Sequence, residues 1–219
     1  MPFYFHRPDW MGELTEEYDK KYGEGAYRNL SITSLCIPGT HDSGTAFLEN
    51  NWTETVVNAV RCQSLTIEEQ LDRGIRYLDI RVKYAANTFC IVHDGPVARM
   101  DYFCVRKDQP EQFLTLTDVL ETCRTFLAEH PMECVIMSIK LAKSAQQHGN
   151  ELTGFLAEYD RQNQVFLDAG AYRQTGVQGY PDMGSARGKL ILLRRFETEQ
   201  QNPWYDFTGW GSVKPEDDG

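Results

Sequence analysis

The stretch ECVIMSIK, Glu133 to Lys140, decides how this chain folds. It is too short for an ordinary helix, and its near-continuous apolar character is that of a strand covered on both faces, as in a parallel sheet packed between helices. Working outward, residues 117–130 carry Val119, Leu120, Cys123, Phe126 and Leu127 at helical spacing, and Pro131 marks the stop. On the other side Leu152, Phe155, Leu156 and Tyr159 repeat the helical pattern, and KLILLRRF, Lys189 to Phe196, reads as the last strand. Upstream, Thr66 with Glu69 forms a capping box for a short helix, Gly74 suits its C-terminal turn, and IRYLDIRV, Ile75 to Val82, follows at once as a strand. Further strands are expected at about Ser31 to Ile37 and about Thr88 to Val92. The alternation predicts an α/β fold with a largely parallel sheet, and no internal repeat or low-complexity linker interrupts it.

Composition narrows the function. A chain of 219 residues, 41% of them hydrophobic, can bury the core of one domain. No apolar run approaches the roughly 20 residues needed to span a bilayer, and the N-terminus lacks the basic and apolar regions of a signal peptide. That reading places the chain in the cytoplasm or on a non-classical export route. A net charge of −10 disfavours nucleic acid as a partner. The six cysteines, at 36, 62, 90, 104, 123 and 134, show no paired spacing. Cys36, Cys90 and Cys134 fall in strand-like runs, so the cysteines are expected to be reduced core residues.

Polar residues collect where the strands end. In parallel α/β architectures the carboxyl ends of the strands share one face, and active sites gather there. His41 and Asp42, in IPGTHDSGT (residues 37–45), follow the first strand. Asp79 and Arg81 sit two apart near the end of the second, and so on one side of it. His93 and Asp94 follow the third, Lys140 ends the fourth, and Arg194 and Arg195 end the fifth. Each alone reads as a satisfied polar residue, a buried ion pair or a solvated strand end. Together, two imidazoles and several cations on one rim suit transfer of a phosphodiester, with a base for the attacking hydroxyl, an acid for the leaving oxygen, and positive charge on the non-bridging oxygens.

These motifs resemble a known family. IPGTHDSGT, QLDRGIRYLDIRV, VHDGP, LAEHPMECVIMSIK and ARGKLILLRRF occur in the order of the X domain of the bacterial phosphatidylinositol-specific phospholipases C, over roughly Leu30 to Phe196. The resemblance implies a TIM-barrel-like, incomplete barrel of mainly parallel strands. It implies a metal-independent enzyme that cleaves phosphatidylinositol by attack of the inositol 2-hydroxyl, giving diacylglycerol and a 1,2-cyclic inositol phosphate. By the matching motifs His41 is the general base and His93 the general acid. Asp42 assists at the leaving group, Asp79 and Arg81 serve the phosphate region, and Lys140 and Arg195 contact the inositol. Eukaryotic relatives hold calcium at the positions occupied here by Asp42, Asp79, Arg81 and Lys140, and two of these four are cations. No cofactor is expected.

Departures from the pattern leave alternatives open. The family writes His directly before Gly, whereas Asp94 intervenes here, so either His93 or Asp94 is the acid. The family chain runs on past the equivalent of residue 219 and supplies an Asp that orients the base, so this chain reads as C-terminally truncated. The division is then an N-terminal extension (1–29), the catalytic domain (30–196) and an acidic, aromatic tail (197–219). A sheet of this kind leaves edges to close, either by the tail or by a second copy of the chain in a homodimer. A non-catalytic inositol-phospholipid binder is the main alternative, and a magnesium-dependent phosphodiesterase of another barrel family is the third. The aromatics of MDYFCV (residues 100–105) and of the tail, Trp204 and Trp210 among them, either pack in the core or touch a membrane surface transiently.

Overall fold

The computed structural model describes residues 6–94, 100–174 and 177–208, without the side chains of 172–174, 177 and 178. In chain order the elements are α1 (Trp10–Tyr22), β1 (Gly39–Thr40), α2 (Glu54–Val60), α3 (Ile67–Asp72), β2 (Tyr77–Ala85), β3 (Thr88–Asp94), β4 (Asp101–Phe103), β5 (Val105–Arg106) and β6 (Gln109–Phe113). Then follow α4 (Leu116–Glu129), β7 (Val135–Leu141), α5 (Gly149–Asn163), β8 (Arg173–Gln174), β9 (Val177–Gln178), α6 (Met183–Ala186), β10 (Leu190–Arg194) and β11 (Tyr205–Asp206). Seven strands form one sheet in the order β11-β10-β7-β2-β3-β4, with β1 also on β2. The pairs β11/β10, β10/β7, β7/β2 and β1/β2 are parallel. Among the described residues no helix is long and apolar enough to cross a membrane.

The period of 2 along the strands sorts their residues to two faces. Leu78, Ile80 and Val82 of β2 with Val135, Met137, Ile139 and Leu141 of β7 join one buried core with residues of α3, α4 and α5. The opposite face is layered. Tyr77, Ile136 and Ile191 lie level with one another and belong to a second apolar cluster with Met11 of α1. One step on, Asp79 pairs in register with Ser138, and a further step on Arg81 pairs with Lys140. The run ECVIMSIK therefore alternates, and its inward positions turn from apolar to polar at the end where the site lies.

Capping chemistry fixes the helices as expected. The Thr66/Glu69 box is present, and α4 starts from a second box in which Thr115 accepts from the Asp118 amide and Asp118 accepts from the Thr115 amide. α5 covers the predicted apolar positions. α1 was not foreseen from the sequence, although Trp10, Leu14 and Tyr18 repeat at helical spacing.

Three expectations are corrected. The segment Ser31 to Ile37 is not a strand: Ser31 caps a 3-10 turn at Ile32–Ser34, and the strand is only β1, inside the motif itself. Gly39 permits it, because a Cβ there would stand 2.9 Å from the Tyr77 Cβ. Cys36 is consequently exposed, as is Cys62, while the other four cysteines are buried, and all six are free. Third, β3 is antiparallel to β2 and β4 antiparallel to β3, so the third strand returns toward the rim rather than leaving it. The tail also has a definite place for part of its length. β11 pairs with β10, Trp204 and Tyr205 are 1% exposed, and Trp204 packs edge-on against Phe166, so Trp204 is core and not a membrane contact. Trp210 lies outside the described residues.

Candidate active site

The site is built on the loop that leaves β1. Ser43 donates its amide to the Asp79 carbonyl and accepts the Asp79 amide on its hydroxyl, at 2.8 and 2.9 Å, which clips the loop to β2. Gln70 of α3 braces it from behind, accepting from the Thr40 hydroxyl and donating to the carbonyls of Ser43 and Leu65. Asp42 takes a positive φ of 46°, a conformation short polar side chains tolerate, and this turns its carboxylate inward.

Asp42 is the hub. Its side chain is wholly buried; Oδ1 is 2.6 Å from Arg81 Nε, and Oδ2 is 3.2 Å from both His41 Nε2 and His93 Nε2. The two imidazole nitrogens therefore stand no farther apart than twice that distance, with a guanidinium beside them. Asp79 forms a second node: Oδ2 is 3.0 Å from His41 Nδ1 and 3.7 Å from Arg81 Nη2, and Oδ1 accepts from Arg195 Nη1 at 3.2 Å. Arg195 also donates to Ser138 Oγ. Gly39, Thr40, His41, Tyr77, Asp79, Arg81 and Arg195 line an open cleft of about 390 Å³. A cavity of about 350 Å³ on the other side of the same loop carries no histidine and lies off this chemistry.

The two histidines differ in setting. The His41 side chain is 64% exposed at the mouth, and that of His93 is 14% exposed at the back. Burial pushes the His93 pKa below the ordinary histidine value, Asp42 pulls it back up, and Arg81 depresses it further. Burial raises the Asp42 carboxyl despite the opposing pull of Arg81, His41 and His93.

The structure thus brings His41, Asp42, Asp79, Arg81, His93 and Arg195 into one cluster. Lys140 lies beside it in register with Arg81, with Nζ 3.7 Å from Asp94 Oδ2. Asp94 also accepts the Lys143 amide on Oδ1, so its carboxylate is directed to lysine residues while His93 reaches Asp42. Arg194 points to the other face, pairing with Asp206. Sequence reasoning missed Ser138, Gln70 and Cys62, whose Sγ lies 4.0 Å from Asp42 Oδ2. Ser138 had a signal, as the lone polar residue within an apolar strand two positions before Lys140; Cys62 had none.

Known proteins resemble this chain in sequence and fold. Residues 35–195 match the family described as phosphatidylinositol-specific phospholipase C, X domain. The 1-phosphatidylinositol phosphodiesterase of Listeria monocytogenes is 29% identical over 178 residues, which are 78% of this chain and 47% of that protein. The Staphylococcus aureus protein of the same name is 24% identical, covering 87% of this chain and 54% of the relative. Among solved structures, the H258Y mutant of the S. aureus phosphatidylinositol-specific phospholipase C superposes with a TM-score of 0.61 at 21% identity, over 87% of this chain and 53% of that one. The L. monocytogenes phosphatidylinositol-specific phospholipase C gives 0.53 at 26% identity, over 78% and 54%. The chain spans about half the length of these relatives. Their structures carry the barrel fold, and here the sheet is α/β, mostly parallel and open.

Proposed function

The chain belongs to the phosphatidylinositol-specific phospholipase C X-domain family, and from that premise we propose that it cleaves the phosphodiester of phosphatidylinositol without a metal ion. The observation that carries this reading is the pair of imidazole Nε2 atoms on one buried Asp42 oxygen, with Arg81 on the other oxygen. Asp79 Oδ2 takes the Nδ1–H of His41, which leaves the lone pair on Nε2. Nε2 removes the proton of the inositol 2-hydroxyl; the oxygen bonds to phosphorus, the bond to the glycerol oxygen breaks, and His93 protonates that oxygen. Diacylglycerol leaves, and the 1,2-cyclic inositol phosphate remains. Arg81, fixed by Asp42, meets the charge that develops on the non-bridging oxygens. Lys140 and Arg195 contact the inositol hydroxyls, and the rim meets the membrane surface transiently.

This reading makes His93 the acid, because Asp94 is engaged with Lys140 and the Lys143 amide. It also gives Asp79 the task of holding the base, beyond serving the phosphate region. A calcium or magnesium site does not fit these residues, since both carboxylates are already paired with arginines.

The test is headgroup release from phosphatidylinositol vesicles with EDTA present, comparing the parent with His41→Ala and His93→Ala. The parent is expected to release cyclic inositol phosphate, and each variant to lose about 10²–10⁴-fold in rate. Equal release from all three would overturn the acid and base assignment. Activity lost to EDTA and restored by calcium would overturn the metal-free mechanism. Vesicle binding with no turnover by the parent would make the chain a lipid-binding protein.

A further inference from the structure

Cys62 stands at the edge of the cluster and takes no part in the chemistry above. It follows α2, and its amide donates to Thr45 Oγ1 at 3.0 Å, while Thr45 donates to the Asp42 carbonyl, so its backbone is tied to the loop that carries His41. Its Sγ is 4.0 Å from Asp42 Oδ2, and that oxygen is 3.2 Å from His41 Nε2. One nitrogen, one oxygen and one sulfur donor, all within 4.8 Å of one another, make this the group among the described residues with the spacing of a metal site. We propose that His41, Asp42 and Cys62 form a binding site for a thiophilic divalent cation of the zinc class, and that the ion acts as a reversible inhibitor by occupying Nε2 of His41.

The donor set selects the ion. Calcium and magnesium call for several oxygens, whereas a thiolate, an imidazole and one carboxylate oxygen match zinc, with a fourth position left open. Arg81 does not oppose such an ion as it does a hard one. It neutralises Oδ1, while the ion approaches Oδ2 and brings a thiolate that offsets its charge. Closing the site needs the sulfur to approach by under about 1.5 Å, given bonds of about 2.0–2.3 Å. Both Cys62 and His41 are exposed residues, and the thiol gives up a 3.4 Å hydrogen bond to the Val60 carbonyl as it closes on the ion. Burial and the nearby Asp42 carboxylate raise the thiol pKa, so the ion displaces a proton from sulfur to solvent when it binds. Bound there, it takes the lone pair that the base needs and the Asp42 oxygen that faces His93.

Binding is independent of the proposed function, and inhibition rests on it, so the two are measured separately. The full chain is used with Cys36, the other exposed cysteine, replaced by Ser. Cobalt(II) titration is expected to give a thiolate-to-cobalt charge-transfer band and the visible spectrum of a four-coordinate ion, both displaced by zinc. Cys62→Ser is expected to abolish the band and weaken zinc by at least about tenfold, the lower bound that even loss of an outer partner carries. Zinc is also expected to slow maleimide alkylation of Cys62, which needs no substitution in the site. In vesicle assays zinc halts the parent, EDTA restores it, and Cys62→Ser keeps its activity at that zinc concentration. A cobalt spectrum without the thiolate band, unchanged alkylation, or equal zinc affinity in Cys62→Ser overturns the site. A band in a parent that shows no turnover upholds the site and overturns the proposed function.

Discussion

Asp42 bears on the proposed acid, His93, through one oxygen. In the proposed mechanism His93 has to be protonated to act on the leaving group, and burial, the largest influence, lowers its pKa from the ordinary 6.5. Asp42 is the stronger of two groups that pull in the other direction, Asp94 being the weaker. The alkaline limb of kcat/KM against pH is therefore expected below 6.5, and Asp42→Asn, which removes that pull, is expected to move the limb to still lower pH. A limb that stays in place in Asp42→Asn would show that another group is the acid. Asp79 bears on the proposed base, His41, by a different route, through Nδ1 at 3.0 Å. Asp79→Asn is expected to lower kcat by up to about 10⁴-fold, the scale of losing the carboxylate that fixes a catalytic imidazole's tautomer. Because Asp79 also holds Arg195, rate alone does not separate the two roles. Ring ¹⁵N spectra do: the proton on Nδ1 of His41 in the parent is expected on Nε2 in the variant, and an unchanged tautomer would leave Asp79 as only an arginine partner. At this scale the histidines, acids and cations were legible in the sequence because each is a chemically loud residue at the end of an apolar run. Gln70 supports them through ordinary hydrogen bonds, which residue type does not announce, whereas Ser138 stands out as the lone polar residue within its apolar strand, two positions before Lys140.

The elements that were legible are those with a period or a cap. β7 and β10 announce themselves as apolar runs, and α3 and α4 by reciprocal capping boxes. β1 did not, because two residues carry no period and the apolar residues before it, such as Ile32, pack as a 3-10 turn. The direction of β3 was hidden in its turn. Ala86 and Asn87 both have positive φ, 50° and 59°, as a tight hairpin turn requires, and alanine there gives no glycine-like signal. The loop between β1 and the site is held as closely as the strands. A Cβ on Gly44 would stand 2.5 Å from Cγ2 of Ile91, on β3, the strand that carries His93. Gly44→Ala is therefore expected to cost about 1–3 kcal/mol and to lower turnover out of proportion, because loop and strand must part to fit it. Thr115→Ala, which removes a cap at α4, is expected to cost about 1 kcal/mol with turnover intact. Urea midpoints paired with vesicle assays compare them; equal turnover per folded molecule in both would mean that the loop tolerates the shift.

Across the molecule, the apolar layer beneath the site is closed by a segment from the opposite end of the sequence, fastened by charge. Arg76 and Glu133 are wholly buried, with Nε and Oε2 2.9 Å apart. Glu133 also accepts the Gly12 amide of α1, and Arg76 donates to the carbonyls of Pro8, Leu71 and Ile75. Only the fold shows that the pair ties α1 to β2 and β7. Burial raises the Glu133 carboxyl even with the guanidinium beside it, and lowers Arg76. A carboxyl raised in the fold contributes stability in full below its unfolded value of 4.5, and that contribution is lost as pH rises through the folded value. At neutral pH, then, the ionised pair is a cost in net stability and its gain is in placement. Glu133→Gln, which strands Arg76, is expected to cost about 3–5 kcal/mol, a large part of the roughly 5–15 that such a domain has. The double variant Arg76→Met, Glu133→Leu is expected to recover most of that loss, since nothing charged is left buried. It removes the acceptor for Gly12 and the donor for Pro8, however, so α1 amides are expected to exchange faster in it while those of β7 stay protected. Recovery of stability with faster exchange confined to α1 would separate fastening from folding. A double variant as unstable as Glu133→Gln would show instead that the ion pair is a net source of stability.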